Sequence, residues 1–522
     1  MITYIKNNLK NIILYVTLAL IVCFLLMRKV DFHVDELLTY NLANAENWFE
    51  PESGVIFSPA SQPFIDAMSS NGIFDLKHVW NQQTYDTHPP FYYLLVHAVC
   101  TLFPGTVSIK YAGIINIIFL LLTFYFYKKI VKLLIDDQTT TYILSVMFIL
   151  SAGILSIATF LRMYVMAMFW VTVFAYIILR NLEHFTVKNY IHLAAVAICG
   201  ALTHYYFIVY AFFISLIAII IMVCEKRFRE IVYYIISMVG ASGVACLIFP
   251  AMIRHIFKTG RGAQSIENMT SSDLVTQFKA YFEILNNNVF GGLLGLIISI
   301  IFFFLLINFI KFDNDEVLLC KIEKVTAFRY ICLLIPAFCY LLLISKSAPY
   351  NTDRYLSPIY AVTIAGLMCL LYTCFASILT KRKNVVSIFT VVVAIIASLG
   401  LSNCSWDYLN KNNEEHITNA EIYGESADAI CLYDEPWKIN PYFLEISSCS
   451  TSTFYNITNY EEFKENVNIE NLGDKLAFFL IGMDADSFIS SFVAEFPEYS
   501  IVKDDGAFAY GKSFYLERNK LE

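Results

Sequence analysis

Uncharged apolar runs recur through the first four hundred residues, at about 11–27, 111–127, 140–161, 163–179, 190–224, 231–253, 291–310, 330–345, 355–380 and 385–402. About 20 helical residues, each rising 1.5 Å, cross the hydrocarbon of a bilayer, so 190–224 has room for two short helices and the set predicts eleven spans. The first run is too long for a cleaved leader and has no small-residue cleavage site, so it reads as an anchor. A shorter apolar stretch at 89–103 opens on His88-Pro89-Pro90, where proline suits a first helical turn. Beyond 403 the pattern becomes mixed: strands are predicted at 429–433, 475–481 and 500–503, with a helix at 487–496 among them. The fold class expected is therefore an α-helical polytopic membrane protein carrying a small C-terminal α/β domain. That domain has no glycine-rich phosphate loop.

Composition agrees with the pattern. The 522 residues are 58% hydrophobic, 16% aromatic and 15% charged, against about 25% charged in a typical soluble chain. An ordinary cytosolic enzyme and a nucleic-acid binder are excluded. Residues 403–522 hold 8 Lys and Arg against 22 Asp and Glu, an acidity that disfavours anionic lipid and nucleic acid. The expected organisation is 1–402 as the membrane domain, with a first outer loop at 28–110, and 403–522 as an acidic extracytoplasmic domain. The thirteen Cys show no CxxC or Cys/His spacing and read as small buried hydrophobes.

Charge also sets the topology. If 89–103 does not cross, Lys128-Lys129, Arg180, Lys226-Arg227 and Lys381-Arg382-Lys383 share a side with the N-terminal Lys6 and Lys10, as the positive-inside rule requires. That stretch is accordingly laid in the interface as a juxtamembrane helix, with the N-terminus cytoplasmic. The bends at Arg162 and His204-Tyr205-Tyr206, a loop at about 254–290 and the segment 346–354 then face outward. The predicted spans carry no Asp, Glu, Lys or Arg away from their ends, which counts against an ion-coupled transporter and favours chemistry at the outer interface.

Asp35 and Glu36 open a predicted amphipathic helix just beyond the first span. Acids favour a helix N-terminus for capping alone; two carboxylates at headgroup depth also suit a base that activates a hydroxyl. Asp35-Glu36, His88-Pro89-Pro90 with Phe91-Tyr92-Tyr93, Arg162-Met163-Tyr164, Thr203-His204-Tyr205-Tyr206 and Arg354-Tyr355-Leu356 follow in order. This series resembles the GT-C membrane glycosyltransferases, of the protein O-mannosyltransferase and lipid A aminoarabinose transferase type, over roughly residues 1–400.

The resemblance implies transfer of one sugar from a polyprenyl-phosphate donor to a hydroxyl on a lipid, glycan or protein acceptor, at the outer face of a bacterial inner membrane. It implies Asp35 as the base, supported by Glu36; a single base suggests direct displacement with inversion at the sugar carbon. Arg354 and then Arg162 are the expected partners of the leaving phosphate, and His88, His204, Tyr164 and Tyr355 the expected hydrogen-bonding groups; interfacial snorkelling is the other reading of the arginines. Tyr92 and Tyr205 suit either a stacked sugar or the aromatic belt. Arg254, Lys258 and Arg261 are read as a solvated face. The family's acidic residue before the Arg-Met-Tyr element is replaced by Thr159-Phe160-Leu161, with Asp86 or Asp353 as possible substitutes. No cofactor and no metal are expected. A lipid or polysaccharide transporter and a non-catalytic envelope assembly protein are the competing readings.

Overall fold

The computed structural model describes residues 2–45, 49–258, 260–310, 323–379, 381–467 and 472–519. They form two compact units. The first comprises Met1–Met27, Gln83–Tyr92 and Gly113–Trp406; the second comprises Arg28–Gln82, Tyr93–Ala112 and Asp407–Glu522. The change at 406/407 lies beside the boundary expected near 403. Much of the first loop, assigned to the membrane part on sequence, clusters instead with the C-terminal residues.

Among the described residues, seven helices are long and apolar enough to span a bilayer: Leu9–Met27, Ile109–Leu134, Tyr205–Cys224, Phe228–Ile248, Lys324–Ser347, Ser357–Ile378 and Arg382–Asn403. Two bent pairs bring the number to nine, and the shorter apolar helices Tyr164–Arg180 and Val187–Ala201 fall on the remaining predicted runs. The chain is an integral membrane protein. Phe91–Cys100, with 10 residues, extends about 15 Å and is too short to cross.

The expected loop at 254–290 is mostly helical, in three pieces: Ala251–Phe257, Gly260–Ser271 and Leu274–Phe290. Its scattered polar residues hide these helices from a search for apolar runs, yet their ends are written locally. Asp273 caps the third by accepting from the Val275 and Thr276 amides, and Gly291 ends it at φ 61°. The chain then turns by 92° into the next apolar helix. At Gly291 an added Cβ would lie 2.7 Å from the Ile396 carbonyl and 2.8 Å from the Gly400 amide nitrogen, so the turn also needs the missing side chain.

In the second unit a six-stranded sheet runs in the order β1-β3-β2-β4-β6-β5. The strands are β1 Ile56–Phe57, β2 Asp428–Tyr433, β3 Thr451–Tyr455, β4 Lys475–Ile481, β5 Tyr499–Phe508 and β6 Gly511–Arg518. β3, β2 and β4 pair in parallel, β6 joins β4 antiparallel, and β1 adds antiparallel to β3. Alternate residues of β4 enter a core of Leu476, Phe478, Leu480, Phe463, Phe488 and Phe492. Three of the strands match the predicted runs. β3 opens on three consecutive polar residues, Thr451-Ser452-Thr453, and β6 has polar residues at both ends, so neither is predicted, and β1 is a two-residue strand fixed by a partner some 400 positions away.

Gly291→Ala should cost at least about 1 kcal/mol, from left-handed strain before any clash is counted. Gly295→Ala, where an added Cβ meets nothing within 4 Å, should be neutral or slightly stabilising. Thermal melts of the two full-length variants in detergent should separate them.

Candidate functional site

In the first unit the helix Ala152–Thr159 stops and, after four intervening residues, Tyr164–Arg180 begins. The break leaves carbonyls in an apolar bundle that need donors. Asn116 supplies them, its amide nitrogen lying 3.2 Å from the Ala158 oxygen and 2.7 Å from that of Phe160. The Tyr92 hydroxyl in turn donates to the Asn116 oxygen at 3.2 Å. Thus Tyr92 braces the break from behind.

Arg162 lies in that break, 4% exposed, its amide on the Phe160 carbonyl at 2.7 Å. Its guanidinium reaches His88 Nε2 at 3.5 Å. Asp86 stands on the other edge of the His88 ring, with Oδ2 2.8 Å from Nδ1 and 3.2 Å from the His88 backbone nitrogen. Burial opposes ionisation of Asp86, but the His88 pair and the Arg162 charge hold its carboxyl below the usual range.

His204 caps the helix Tyr205–Cys224, its Nδ1 accepting the Tyr206 amide at 3.1 Å. Burial, then the charges of His88, Arg162 and Arg354, hold it well below the ordinary histidine value, so it stays neutral with its proton on Nε2. Its ring centre lies 5.1 Å from Tyr164 and 5.0 Å from Tyr206. Tyr355 packs edge-on to Tyr164 at 6.4 Å and to Tyr206 at 5.4 Å. Arg354 stacks over Tyr355 at 5.2 Å and Phe160 at 6.0 Å, and Tyr340 holds the Tyr355 carbonyl at 2.7 Å. Residues distant in sequence thus form one aromatic-walled, positively charged cluster.

A second layer fixes the segment before His88. His255, 2% exposed, has Nε2 3.1 Å from the Thr84 carbonyl and Nδ1 2.9 Å from the Tyr205 hydroxyl. Its proton is therefore on Nε2, and Tyr205 donates to Nδ1. Arg254 also donates to the Thr84 carbonyl. Tyr205 thus holds the His255 ring and Arg254 the Thr84 backbone, while Arg261 bonds the Tyr350 hydroxyl at 3.0 Å.

The second unit holds the acidic pair. Glu36 Oε2 lies 3.1 Å from Lys29 Nζ with both side chains 0% exposed, and accepts the His33 amide at 2.8 Å. Lys29 also donates to the Tyr408 carbonyl. His33 Nδ1 accepts the Asp35 amide at 3.1 Å, which completes a capping box on the helix Val34–Asn44. Since that nitrogen carries a lone pair, its 3.9 Å approach to Asp35 Oδ2 is no ion pair. The Asp35 side chain is 24% exposed. Upstream, Asp31 accepts from the Phe32 amide at 2.6 Å and from Asn413 at 2.9 Å. Burial, the dominant influence, pushes its carboxyl up to about 6.

No family model matches the chain, and no curated protein matches it in sequence. Among solved structures, ArnT from Cupriavidus metallidurans, crystallised bound to undecaprenyl phosphate, is similar over 97% of this chain and 97% of its own. The identity is 10% and the TM-score 0.50. The chain has the GT-C fold. Looser likenesses are to the Archaeoglobus fulgidus oligosaccharyltransferase. Its complex with zinc and sulfate matches at 11% identity and TM-score 0.45, and its form tethered to an acceptor peptide at 9% and 0.40; each covers 89% of this chain and 68% of the other.

Of the residues singled out on sequence, the chain brings His88, Arg162, Tyr164, His204, Arg354 and Tyr355 together in its first unit. Tyr92 and Tyr205 stand behind them as braces, and Asp35 and Glu36 belong to the second unit. Glu36 is committed to Lys29 and the His33 amide, so it holds the helix that carries Asp35. Sequence reasoning passed over Asn116 and His255. A lone amide in the run 111–127 was a usable sign for the first, and the second carried none.

Two stability effects follow. Glu36→Ala leaves Lys29 buried without its counter-charge and should cost about 3–5 kcal/mol, read as a lowered melting temperature or lost expression of the full chain. For Asp31 the folded value near 6 exceeds the ordinary 3.8, so the folded state holds the proton more tightly and stability rises as pH falls through 6. Between pH 7.5 and 5 wild type should gain about 1 kcal/mol relative to Asp31→Asn; melts that move in parallel would discount this.

Proposed function

We propose that the chain is a membrane glycosyltransferase that moves a single sugar from a polyprenyl-phosphate donor to an acceptor hydroxyl, with inversion. The observation that carries the reading is the cationic cluster of buried Arg162 and half-buried Arg354 with His88 and His204, set among Phe160, Tyr164, Tyr206 and Tyr355, in a chain whose fold is that of a protein crystallised with undecaprenyl phosphate.

The leaving group in such a transfer is a lipid phosphate, which gains negative charge as the bond from the sugar carbon to its oxygen breaks. Guanidinium groups in apolar surroundings stabilise that charge more than they would in water, because little solvent screens them. Arginine suits this role: it keeps its charge and presents forked donors to phosphate. Tyr164, Tyr206 and Tyr355 offer faces for an apolar sugar surface or the first isoprene units. The neutral His204 directs a hydrogen-bond donor from Nε2.

At the other end of the reaction the acceptor oxygen bonds to the sugar carbon and loses its proton. Asp35 is the proposed base. Its side chain is partly open to solvent, whereas Glu36 is enclosed with Lys29. The Val34–Asn44 capping box holds it in place. A helix N-terminus lowers carboxylate basicity, so positioning of the acceptor supplies much of the rate. The transfer runs without a bound metal, at the extracytoplasmic face of a cell membrane.

The test is transfer from radiolabelled polyprenyl-phosphate sugars by full-length protein in nanodiscs, with membrane glycolipids and glycans as acceptors. Asp35→Asn should lower kcat by about 10²–10⁴-fold, the range for loss of a general base, with donor binding preserved. Arg162→Ala and Arg354→Ala should weaken donor binding, and EDTA should have no effect. Transfer by Asp35→Asn at the wild-type rate would remove Asp35 from the mechanism. Unchanged donor binding in both arginine variants would remove the cluster as the phosphate site.

A further inference from the structure

The order of the strands in the second unit parts two connections at one edge of the sheet. β2 and β4 are adjacent and parallel, yet the chain leaves their carboxyl ends toward opposite faces. After β2 the 3₁₀ helix Pro436–Tyr442 sets Tyr442 against Phe479, with ring centres 5.9 Å apart. After β4 the helix Ala485–Glu495 sets Phe488 and Phe492 against Phe478, on the other side of the pleat. Open α/β sheets take their ligands beyond the strand ends where neighbouring connections diverge in this way.

Three short segments meet at that rim: 434–438 after β2, 482–484 after β4, and Tyr510 from the turn between β5 and β6. Gly482, at φ 74°, donates its amide to the Tyr510 carbonyl at 2.9 Å, and an added Cβ there would lie 2.2 Å from Asp434 Oδ1. The missing side chain leaves the Asp434 carboxylate its place. Trp437 and Tyr510 are 37% and 39% exposed, with ring centres 4.9 Å apart and planes at 72°. Leaving two large rings partly in water forgoes hydrophobic stabilisation. Trp437 is nevertheless held in place. Its Nε1 donates to Glu435 Oε2 at 2.7 Å, and Lys438 Nζ lies 5.8 Å from its ring centre while pairing with Asp434 and Glu435. A ring fixed in advance loses little freedom when a ligand covers it.

Aromatic rings beside carboxylates match a saccharide, whose C–H faces pack on ring planes and whose hydroxyls donate to carboxylate oxygens. Charge narrows the class. Asp434, Glu435 and Asp484 stand against Lys438, and Lys512 nearby is shared by Asp486 and Asp504, so phosphates and acidic sugars are repelled. We propose that the rim formed by Trp437, Tyr510, Asp434 and Glu435 is a binding site for an uncharged saccharide, built from none of the residues of the cationic cluster. The site gives the second unit a ligand of its own, and it stands on this unit alone, whether or not the chain transfers sugar.

The test is binding of full-length protein in nanodiscs to an array of neutral, phosphorylated and sialylated oligosaccharides, followed by calorimetry with the neutral oligosaccharide bound most strongly. Wild type should bind neutral members of the array. Trp437→Ala and Tyr510→Ala should each lower that affinity about tenfold, the loss of one stacked ring, and Trp437→Phe should recover part of it. Melting temperatures of the three variants should stay close to wild type, since both rings lie partly in solvent. Folded wild type that binds no neutral oligosaccharide, or affinity unchanged in both alanine variants, overturns the proposal. A preference for the phosphorylated or sialylated members does the same. Because binding is read without any sugar donor, its failure leaves the transfer reading standing, and failure of transfer leaves the saccharide site standing.

Discussion

A helix that stops inside an apolar bundle must find donors for the carbonyls it leaves open, and in the first unit everything near the cluster depends on how that is done. Asn116 spans the Ala158 and Phe160 oxygens with one amide group, and Tyr92 fixes the amide by donating to its oxygen. With those carbonyls satisfied, the chain can turn between Phe160 and Tyr164. The turn places Arg162 against His88 and Tyr164 against His204. A continuous helix would space Arg162 and Tyr164 about 200° apart around its axis, at 100° per residue, and could not bring both to one side. The break therefore serves as a device for converging side chains, and the polar residue that permits it lies on another helix.

The cluster has a second constraint, which is charge. Arg162 and Arg354 lie among rings, and a buried cation without compensation is costly. Compensation comes in unequal forms. Asp86 supplies a full negative charge through His88, the faces of Phe160 and Tyr355 supply the weaker attraction of aromatic quadrupoles to Arg354, and His204 avoids adding charge by remaining neutral. The arrangement is positive overall and suits an anion.

Much of this was legible in the sequence because its signals are local. Apolar runs report spans directly, since a bilayer imposes a minimum length on them. Residues such as His88, Arg162, His204 and Arg354 interrupt or bound such runs and were found for that reason. What sequence could not supply was partnership. Nothing local distinguishes Glu36 from Asp35, yet Glu36 closes on Lys29 in the interior while Asp35 stays partly open. Nothing near Ile56 indicates that it pairs with Thr453. The helices between Ala251 and Phe290 escaped for another reason: their amphipathic composition lowers the apolar density by which helices in this kind of chain are recognised.

The contrast between neighbouring acids extends to the histidines, and there it bears on what the cluster can respond to. His255 has both ring nitrogens assigned, one on the Thr84 carbonyl and one on the Tyr205 hydroxyl, and His204 has Nδ1 committed to the Tyr206 amide. Either could gain a proton only by giving up a backbone or tyrosine contact in a buried setting. His88 instead joins two charged side chains, with Asp86 Oδ2 2.8 Å from Nδ1 and Arg162 3.5 Å from Nε2, so its ring links the carboxylate to the guanidinium.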